Sequence, residues 1–555
     1  MVSFPSPSIT KLFVGVYKHG IADACLLELE AANATIVYHN LAHQMMVFCL
    51  RVPLSDHSQL DGAGGVVPRE RGYFREELPM CFDVVFEPIH SYGRDLGELS
   101  ALKVNGDKYC GSLDLLLDRI LFRSPHVDPI IETKLCGRNH KFSVKKKKSD
   151  PVARENARRM LTKTIESERT NWDRAIDRPW RVTVEKMGDH GVSSVELAQD
   201  FGAIGTKNMP ERGDGDQRAP VRMRDFELEV MIVLSHPRSR EVSNGKMLKM
   251  GLSHSSVEPE AKARTTNAAI TDPRVLLTES GNLDEDLWCF GIRLRRQSLL
   301  EKRGVEVTKT KLSVAAGICT LMLRELANIK HGDPRLTVLD PMCGHGTLPL
   351  VMHLMQQKLG QILLYVKKRK RIKEENQDQE EVVTMGEDGK KHVDLELEPP
   401  PPFNIIGSDA KDLSYAIEIT KHFRDSLCQT QPQPRPTTAV QMQPPIASWI
   451  GSADTCRLPI EDSSIDCLVV DPPWGQRHGS HTFVAKNLRA WIFEWYRVLH
   501  VGGLLGIVTI RTNQMVRELS IEPFAHNLMA CEDFPIMFNN SGYPQCMFFL
   551  LRKVR

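Results

Sequence analysis

From Leu336 to Ile510 the chain switches repeatedly between short apolar runs and stretches of helical spacing, which narrows the architectures open to it. Leu336–Leu339 has the character of a buried strand, Leu348–Leu359 that of a helix, and Phe403–Gly407 that of a strand again. Ile465–Val470 and Leu504–Ile510 continue the series. Apolar strands separated by helices predict an α/β domain: a parallel sheet with helices on its faces. Helix Ser313–Leu326 leads in, and Phe534–Phe538 with Met547–Leu551 fit closing antiparallel strands. Lys367 to Pro402 breaks the alternation with a charged run ending in four prolines, and reads as an insertion.

The chain has 555 residues, so this domain is not alone; two to four domains are expected at roughly 100–200 residues each. Lys11–Tyr17 and Gln44–Val52 read as strands around a helix at Ile21–Ala32, and Phe82–Phe86 as a further strand, an α+β pattern. Ser55–Arg75 reads as a loop and Lys145–Asp150 as a linker. A second α+β unit opens near Pro179 with strand Trp180–Glu185. A helix through Phe201 follows, with Glu196 at the capping-box position of Ser193 or Ser194. Strand Phe226–Leu234, a polar insertion at His236–Asp284 and strand Leu287–Leu294 complete it.

No apolar run approaches the ~20 residues of a membrane helix, and the first twenty residues lack a signal core. An intracellular chain, cytoplasmic or nuclear, is expected. Thirteen cysteines occur singly without Cys-x-x-Cys pairs, so they read as buried small hydrophobes and no metal site is expected. Net charge is only +2, yet Lys134–Lys163 is heavily basic. Within it Lys145, Lys146, Lys147, Lys148, Arg158 and Arg159 are candidates for phosphate contacts, against the plainer reading of a solvated face.

The chemistry gathers at the strand ends. Thr337-Val-Leu-Asp-Pro-Met-Cys-Gly-His-Gly346 runs from a strand through a glycine turn into a helix. Such a turn lets a cofactor approach the backbone, and the helix N-terminus can hold a carboxylate. Asp340 can accept from the cofactor's amino group. Asp409, ending the next strand, can chelate two ribose hydroxyls, or cap the following helix. Asp454, after the third strand, can bind an adenine amino group, or serve as a turn residue. Pro341, Cys343, Gly344, Gly346, Thr347, Ala410 and Ser313 complete the candidate cofactor set. The decisive element is Ile465–Val470 running into Asp471-Pro472-Pro473-Trp474. Two prolines stiffen this turn, so the Asp471 carboxylate and the Pro472 carbonyl are fixed acceptors, and Trp474 offers a planar face. They suit an amino or amide nitrogen whose lone pair must be aimed at an electrophile, with positioning as the main source of catalysis. Arg477 follows the motif as a candidate substrate contact.

On these residues, 305–555 resembles a class I, S-adenosylmethionine-dependent methyltransferase domain bearing the Asp-Pro-Pro-aromatic motif of amino-group methylators. That motif also occurs in enzymes acting on DNA adenine or protein glutamine. Pro179–Glu185, Val195–Ala203 and Phe226–Leu234 resemble a THUMP domain. The stretch Trp288–Leu323 and the ending Phe538–Tyr543 resemble the THUMP-containing tRNA guanosine N2-methyltransferases. The resemblance implies an N-terminal ferredoxin-like α+β domain over 1–145 and a THUMP RNA-binding domain with insertions over 150–304. A Rossmann-like methyltransferase domain would span 305–555, with its insertion at 367–402. It further implies S-adenosyl-L-methionine as cofactor, N2-methylguanosine in tRNA as product, and a small zinc-binding activator subunit as partner. The alternatives are another structured RNA, such as a small nuclear RNA, or a catalytically silent RNA-binding scaffold. Lys311-Leu-Ser313 departs from the Arg-Ser/Pro-Thr pattern expected at the domain entrance.

Overall fold

A computed structural model describes residues 8–18, 20–53, 58–60, 66–68, 78–92, 116–125, 149–176, 179–188, 190–208, 221, 226, 228–236, 275–279, 285–294, 310–327, 336–359, 404–409, 413–414, 416–418, 420–421, 446–451, 454–475, 479–531, 536–540 and 543–555. Among them lie two large sheets. The first takes strands β1 (Ser8–Tyr17), β2 (Thr35–Asn40), β3 (Met45–Pro53), β6 (Phe82–Pro88), β7 (Leu121–Pro125), β8 (Trp180–Met187), β9 (Leu228–Ser235), β10 (Val275–Glu279) and β11 (Glu285–Leu294). Two short strands, β4 (Ser58–Leu60) and β5 (Val66–Pro68), pair with each other. The order in the large sheet is β10-β2-β3-β1-β6-β11-β9-β8, with β7 also on β11.

That order joins the two units that precede the Rossmann-like domain. β11 pairs antiparallel with β9 along Leu287–Leu294 and also with β6 at Gly291 and Ile292. Gly291 makes the second pairing possible, because a Cβ there would stand 2.4 Å from the Glu87 carbonyl oxygen. Further along the chain, β10 pairs with β2, although its residues fall inside the stretch read from sequence as a polar insertion. β1 alternates as a two-faced strand should: Phe13 and Tyr17 join one core, while Leu12, Val14 and Val16 join another.

Helix α1 (Ala22–Ala31) covers the first of those faces. α2 (Pro151–Ser167), α3 (Arg169–Ala175) and α4 (Ser194–Asn208) pack on β8, β9 and β11. Asp150 caps α2 by accepting from the amides of Val152 at 2.9 Å and Ala153 at 3.0 Å, with Pro151 at the first helical position. The capping box expected at Ser193–Glu196 closes differently. Glu196 accepts from the Ser149 amide and hydroxyl, and Ser149 in turn takes the Ser193 amide at 2.8 Å. A carboxylate facing two donors of a neighbouring segment outcompetes its own helix start.

The second sheet has strands β12 (Thr337–Asp340), β13 (Asn404–Ser408), β14 (Ile446–Ile450), β15 (Ile465–Val470), β16 (Leu499–Thr509), β17 (Leu528–Ala530), β18 (Ile536–Asn540) and β19 (Tyr543–Lys553). Their order is β14-β13-β12-β15-β16-β19-β17, with β18 on β19. All neighbours from β14 to β16 are parallel, and β19 is antiparallel to β16. This is a Rossmann-like α/β sheet whose order reverses between β12 and β15, where ligands bind beyond the strand ends. Helices α5 (Leu312–Ala327), α6 (347–359), α7 (His481–Val498) and α8 (Thr512–Leu519) accompany it. Among the described residues no helix is long and apolar enough to cross a membrane.

α5 explains how the two sheets come together. Its sequence is apolar nearly all round, and every residue from Leu312 to Leu323 is buried, as such a helix must be. One core contains its side chains, the inner face of β1 and α1, and the α6 side of the Rossmann-like sheet. Gly317 lets Ile21 sit against the helix; a Cβ at 317 would lie 3.1 Å from the Ile21 side chain. Ion pairs reinforce the junction, with Lys358 on Glu28 at 3.3 Å and Arg324 on Asp23 at 3.5 Å.

Candidate active site

β12 ends in Asp340, which is 2% exposed. Its Oδ1 accepts the Met342 amide at 3.1 Å. Burial pushes its carboxyl well above the usual range, and the charges of Asp471 and Asp409 push it the same way, against the Met342 hydrogen bond. The glycine turn follows. Gly344 and Gly346 have φ of +50° and +74°, and the Gly346 amide closes the turn onto the Cys343 carbonyl at 2.7 Å. Thr347 opens α6, and the first amides of a helix have no partner within it. Ser408 ties this loop to β13: its backbone oxygen takes the Cys343 amide at 2.9 Å, and its hydroxyl reaches the Pro341 carbonyl at 3.3 Å. Asp409 accepts the Gly344 amide on Oδ2 at 2.9 Å. Burial raises the Cys343 thiol, keeping it an inert apolar group.

Asp471 leaves β15 on the other side of the sheet's reversal. Its Oδ2 accepts the Thr310 hydroxyl at 2.6 Å. Burial lifts its carboxyl from the ordinary range to about 6, while the bonds from Thr310 and the Trp474 indole hold it down. Trp474 is partly buried and leans on the core under α5. Three carboxylates, Asp340, Asp409 and Asp471, therefore share one field at the reversal point, and two of them are destabilised as anions by burial. Such a place favours a cation.

Other sequence candidates stand elsewhere or are otherwise engaged. Asp454 is exposed; its Oδ1 accepts the Cys456 amide at 2.9 Å and its carbonyl the Arg457 amide at 2.8 Å, the pattern of an Asx turn. Ser313 is 1% exposed and its hydroxyl donates to Asp83. Arg158 and Arg159 are exposed on α2, beside the first sheet, with Arg158 3.9 Å from Asp200 and Arg159 3.3 Å from Glu155. Ala410, Lys145, Lys146, Lys147, Lys148 and Arg477 lie outside the described residues. Among the described residues no group of His, Cys, Asp and Glu is arranged to hold a metal.

Three residues belong to the site without having been singled out from sequence. Thr310 is one. Trp449 on β14 is the second. Its ring lies where Cβ atoms at Gly407 and Gly346 would be, 2.2 and 2.7 Å from it, so both glycines are fitted to the indole. Arg511 is the third. Its Nε donates to the Trp474 carbonyl at 3.2 Å, Nη2 to the His481 carbonyl at 3.2 Å and Nη1 to Gln514 at 3.0 Å. The guanidinium thus fastens the Asp-Pro-Pro-Trp turn to α7 and α8. Its one sequence signal was its place just past a parallel strand's C-terminal end. Arg511→Lys keeps the charge and loses the fork. Turnover is expected to fall roughly fivefold to tenfold, the worth of about one net hydrogen bond, with cofactor affinity unchanged. Steady-state kinetics beside calorimetric cofactor titration checks this, and a matching loss of cofactor affinity would place Arg511 in the binding site instead.

No protein-family model and no curated protein sequence matches the chain. Solved structures do resemble it. TrmN from Thermus thermophilus is 12% identical with a TM-score of 0.43, over 98% of this chain and 99% of that one. A "possible methylase" from Clostridium difficile 630 is 11% identical with a TM-score of 0.44, over 98% and 99%. A structure titled as a predicted N6-adenine-specific DNA methylase from Listeria monocytogenes is 10% identical with a TM-score of 0.41, over 98% and 96%. The Rossmann-like assignment stands on the strand order itself.

Proposed function

We propose that this chain is an S-adenosylmethionine-dependent methyltransferase acting on a base amino group in structured RNA, with guanosine N2 in tRNA as the target. The carrying observation is the pairing, across the sheet's reversal point, of the glycine turn at Asp340 with the fixed carboxylate of Asp471. The cofactor's amino and sulfonium groups are cationic, and two carboxylates of the site, Asp340 and Asp471, are left short of solvation by burial. When bound, S-adenosylmethionine would supply an electrophilic methyl group. Asp340 and the first turn of α6 suit its amino-acid end, and Asp409 its ribose.

The chain's own residues do the rest by positioning. Asp471 and the Pro472 carbonyl accept the two hydrogens of an exocyclic amine, which turns its lone pair outward. Trp474 packs against the base plane, and the base must leave its stack to arrive there. The amine can lose its proton after attack, so no strong base is needed beforehand. The RNA reading draws on the THUMP-like sequence of the middle unit and on the exposed Arg158, Arg159 and Lys163 of α2. A silent scaffold would have no use for Asp340, Asp409 and Asp471 together. A small zinc-binding activator belongs to the same reading.

The test is incubation of the chain with total small RNA and labelled S-adenosylmethionine, with and without a candidate activator, followed by nucleoside mass spectrometry. Label in N2-methylguanosine is expected; label in N6-methyladenosine, or in protein alone, would overturn the substrate assignment. The pH profile carries a second expectation. Asp471 is the stronger acceptor of amino hydrogens when ionised, since protonation turns one oxygen into a donor, and burial has raised its carboxyl to about 6. kcat/KM should therefore climb as pH rises through about 6 and level off above. An acid limb centred near the ordinary aspartate value of about 4 would mean that Asp471 is solvated during catalysis.

A further inference from the structure

We infer that Thr310 is a positioning residue for the Asp471 carboxylate, and that the N-terminal unit sets its place through Ser313 and Asp83. The inference rests on the reading of Asp471 given above. Thr310 is 161 residues from Asp471 in sequence and donates to its Oδ2 at 2.6 Å. Three residues further on, the Ser313 hydroxyl donates to Asp83 Oδ1, and Asp83 Oδ2 pairs with the Lys18 ammonium. Asp83 belongs to β6 and Lys18 directly follows β1, so both stand on the first sheet. The segment 310–313 is thereby pinned at one end to the catalytic turn and at the other to the N-terminal unit.

The backbone behind it is fixed as well. α5 begins at Leu312 and is buried through Leu323 between the two sheets. Cys81, two residues before Asp83, lies 3.5 Å from the Thr320 hydroxyl of the same helix. Ile21, in turn, contacts the helix at Gly317. A shift of the N-terminal unit would move the start of α5, and Thr310 with it.

A single bond to one oxygen matters here because of carboxylate geometry. The terminal torsion of an aspartate is broad and close to two-fold. Burial and two prolines fix where Asp471 sits, but not how its oxygens are turned. The Thr310 hydroxyl on Oδ2 sets that orientation together with the Trp474 indole, and it is the one of the two that lies outside the turn itself. Ionised or ionisable groups facing Asp471 are Asp340 and Cys546. Those around the Asp83 end are Lys18, Glu185, Lys311 and Arg293. The far end of the linkage thus carries charges of both signs, three cations beside two carboxylates, and the near end is the anionic site.

Thr310→Val removes the hydroxyl at nearly constant shape, and Thr310→Ser restores it. With small RNA and labelled S-adenosylmethionine, Thr310→Val should lower kcat about tenfold, the scale of a hydrogen bond to a charged group. KM for RNA, and affinity for S-adenosylhomocysteine measured by calorimetry, should stay within about twofold. The serine variant should recover most of the rate. The acid limb of kcat/KM should move upward in Thr310→Val, because a bond that favours the anion is gone. Infrared difference spectra against Asp471→Ala follow the same ionisation with no substrate present. Asp83→Asn should lower kcat in the same sense by roughly threefold, a fraction of that bond. If Thr310→Val does not fold, Thr310→Ala carries the test. Wild-type kcat and an unmoved titration in the Thr310 variants, beside an inactive Asp471→Ala, would overturn the positioning role and leave the site reading intact. An active Asp471→Ala would overturn both.

Discussion

Asp471→Ala is expected to lower turnover by about a hundredfold or more, the usual cost of deleting one preorganised polar group from a reacting centre, while affinity for the cofactor stays within a few fold. The asymmetry follows from where the residue sits. Asp340 and the glycine turn, proposed to hold the cofactor, lie on one side of the sheet's reversal, whereas Asp471 leaves the next strand over and is bonded to Thr310. Asp471→Asn should fall between, since the amide keeps one acceptor oxygen and gains a donor that repels an amine. The two variants should also part in stability. The folded-state carboxyl is raised to about 6. Its ionisation therefore costs folding energy: the neutral form's advantage is present below about pH 4 and is lost as pH rises through about 6. Removing the charge with asparagine should raise the unfolding midpoint at pH 7.5, and a midpoint that falls would mean the charge is compensated in the fold. Kinetics, calorimetry with S-adenosylhomocysteine, and thermal unfolding on the same preparations decide these points. Equal losses of turnover and cofactor affinity in Asp471→Ala would assign the residue to the cofactor.

What was legible in the sequence, and what was not, divides by the range of the interaction. The alternation from Leu336 to Ile510 predicts a parallel sheet because strand and helix periods are local; β12, β13, β15 and α6 lie where it places them, and α5 where the leading-in helix is read. The glycine turn and Asp471 are legible for the same reason. The first sheet is legible only in part: β1, β3, β6, β8, β9 and β11 lie where strands are read, but β2, β7 and β10 do not, and the joining of all nine into one sheet is not legible. β2 carries no strong alternation, and β10 lies in a polar stretch, so its strand character comes from pairing with β2. The joining of the first two units through β11 turns on Gly291 and the Glu87 carbonyl, a contact no periodicity encodes. Thr310, Trp449 and Arg511 were missed because each acts on the site across a long sequence gap. A threonine before a helix, a tryptophan in an edge strand and an arginine after a strand have ordinary local roles. Asp454 shows the converse: turn and ligand readings predict the same residue in the same place, and its described bonds are those of the turn.

The glycine turn gives the second large effect. Gly346→Ala should weaken cofactor binding by about a hundredfold or more, whereas Gly344→Ala should weaken it only modestly. Both residues have positive φ, so either alanine carries backbone strain of about 1–2 kcal/mol. They differ in what a Cβ would meet. At Gly344 there is nothing within 4 Å, while at Gly346 the new atom would stand 2.7 Å from Cη2 of Trp449 and 3.4 Å from the Ala416 Cβ. The indole cannot retreat toward β13, because a Cβ at Gly407 would already be 2.2 Å from the same ring, so the backbone of the turn must give way instead. That displaces the first turn of α6 and the Asp409–Gly344 bond together. A cofactor held by both should lose at least about a hundredfold in affinity, roughly 3 kcal/mol. Trp449→Leu supplies the control, since a shorter side chain relieves the clash and should return part of the affinity to Gly346→Ala. The coupling energy from that double-mutant cycle, measured with S-adenosylhomocysteine, isolates the steric contribution. Equal losses in the two glycine variants, or no recovery with Trp449→Leu, would show that strain in the turn, and not its fit against the indole, governs cofactor binding.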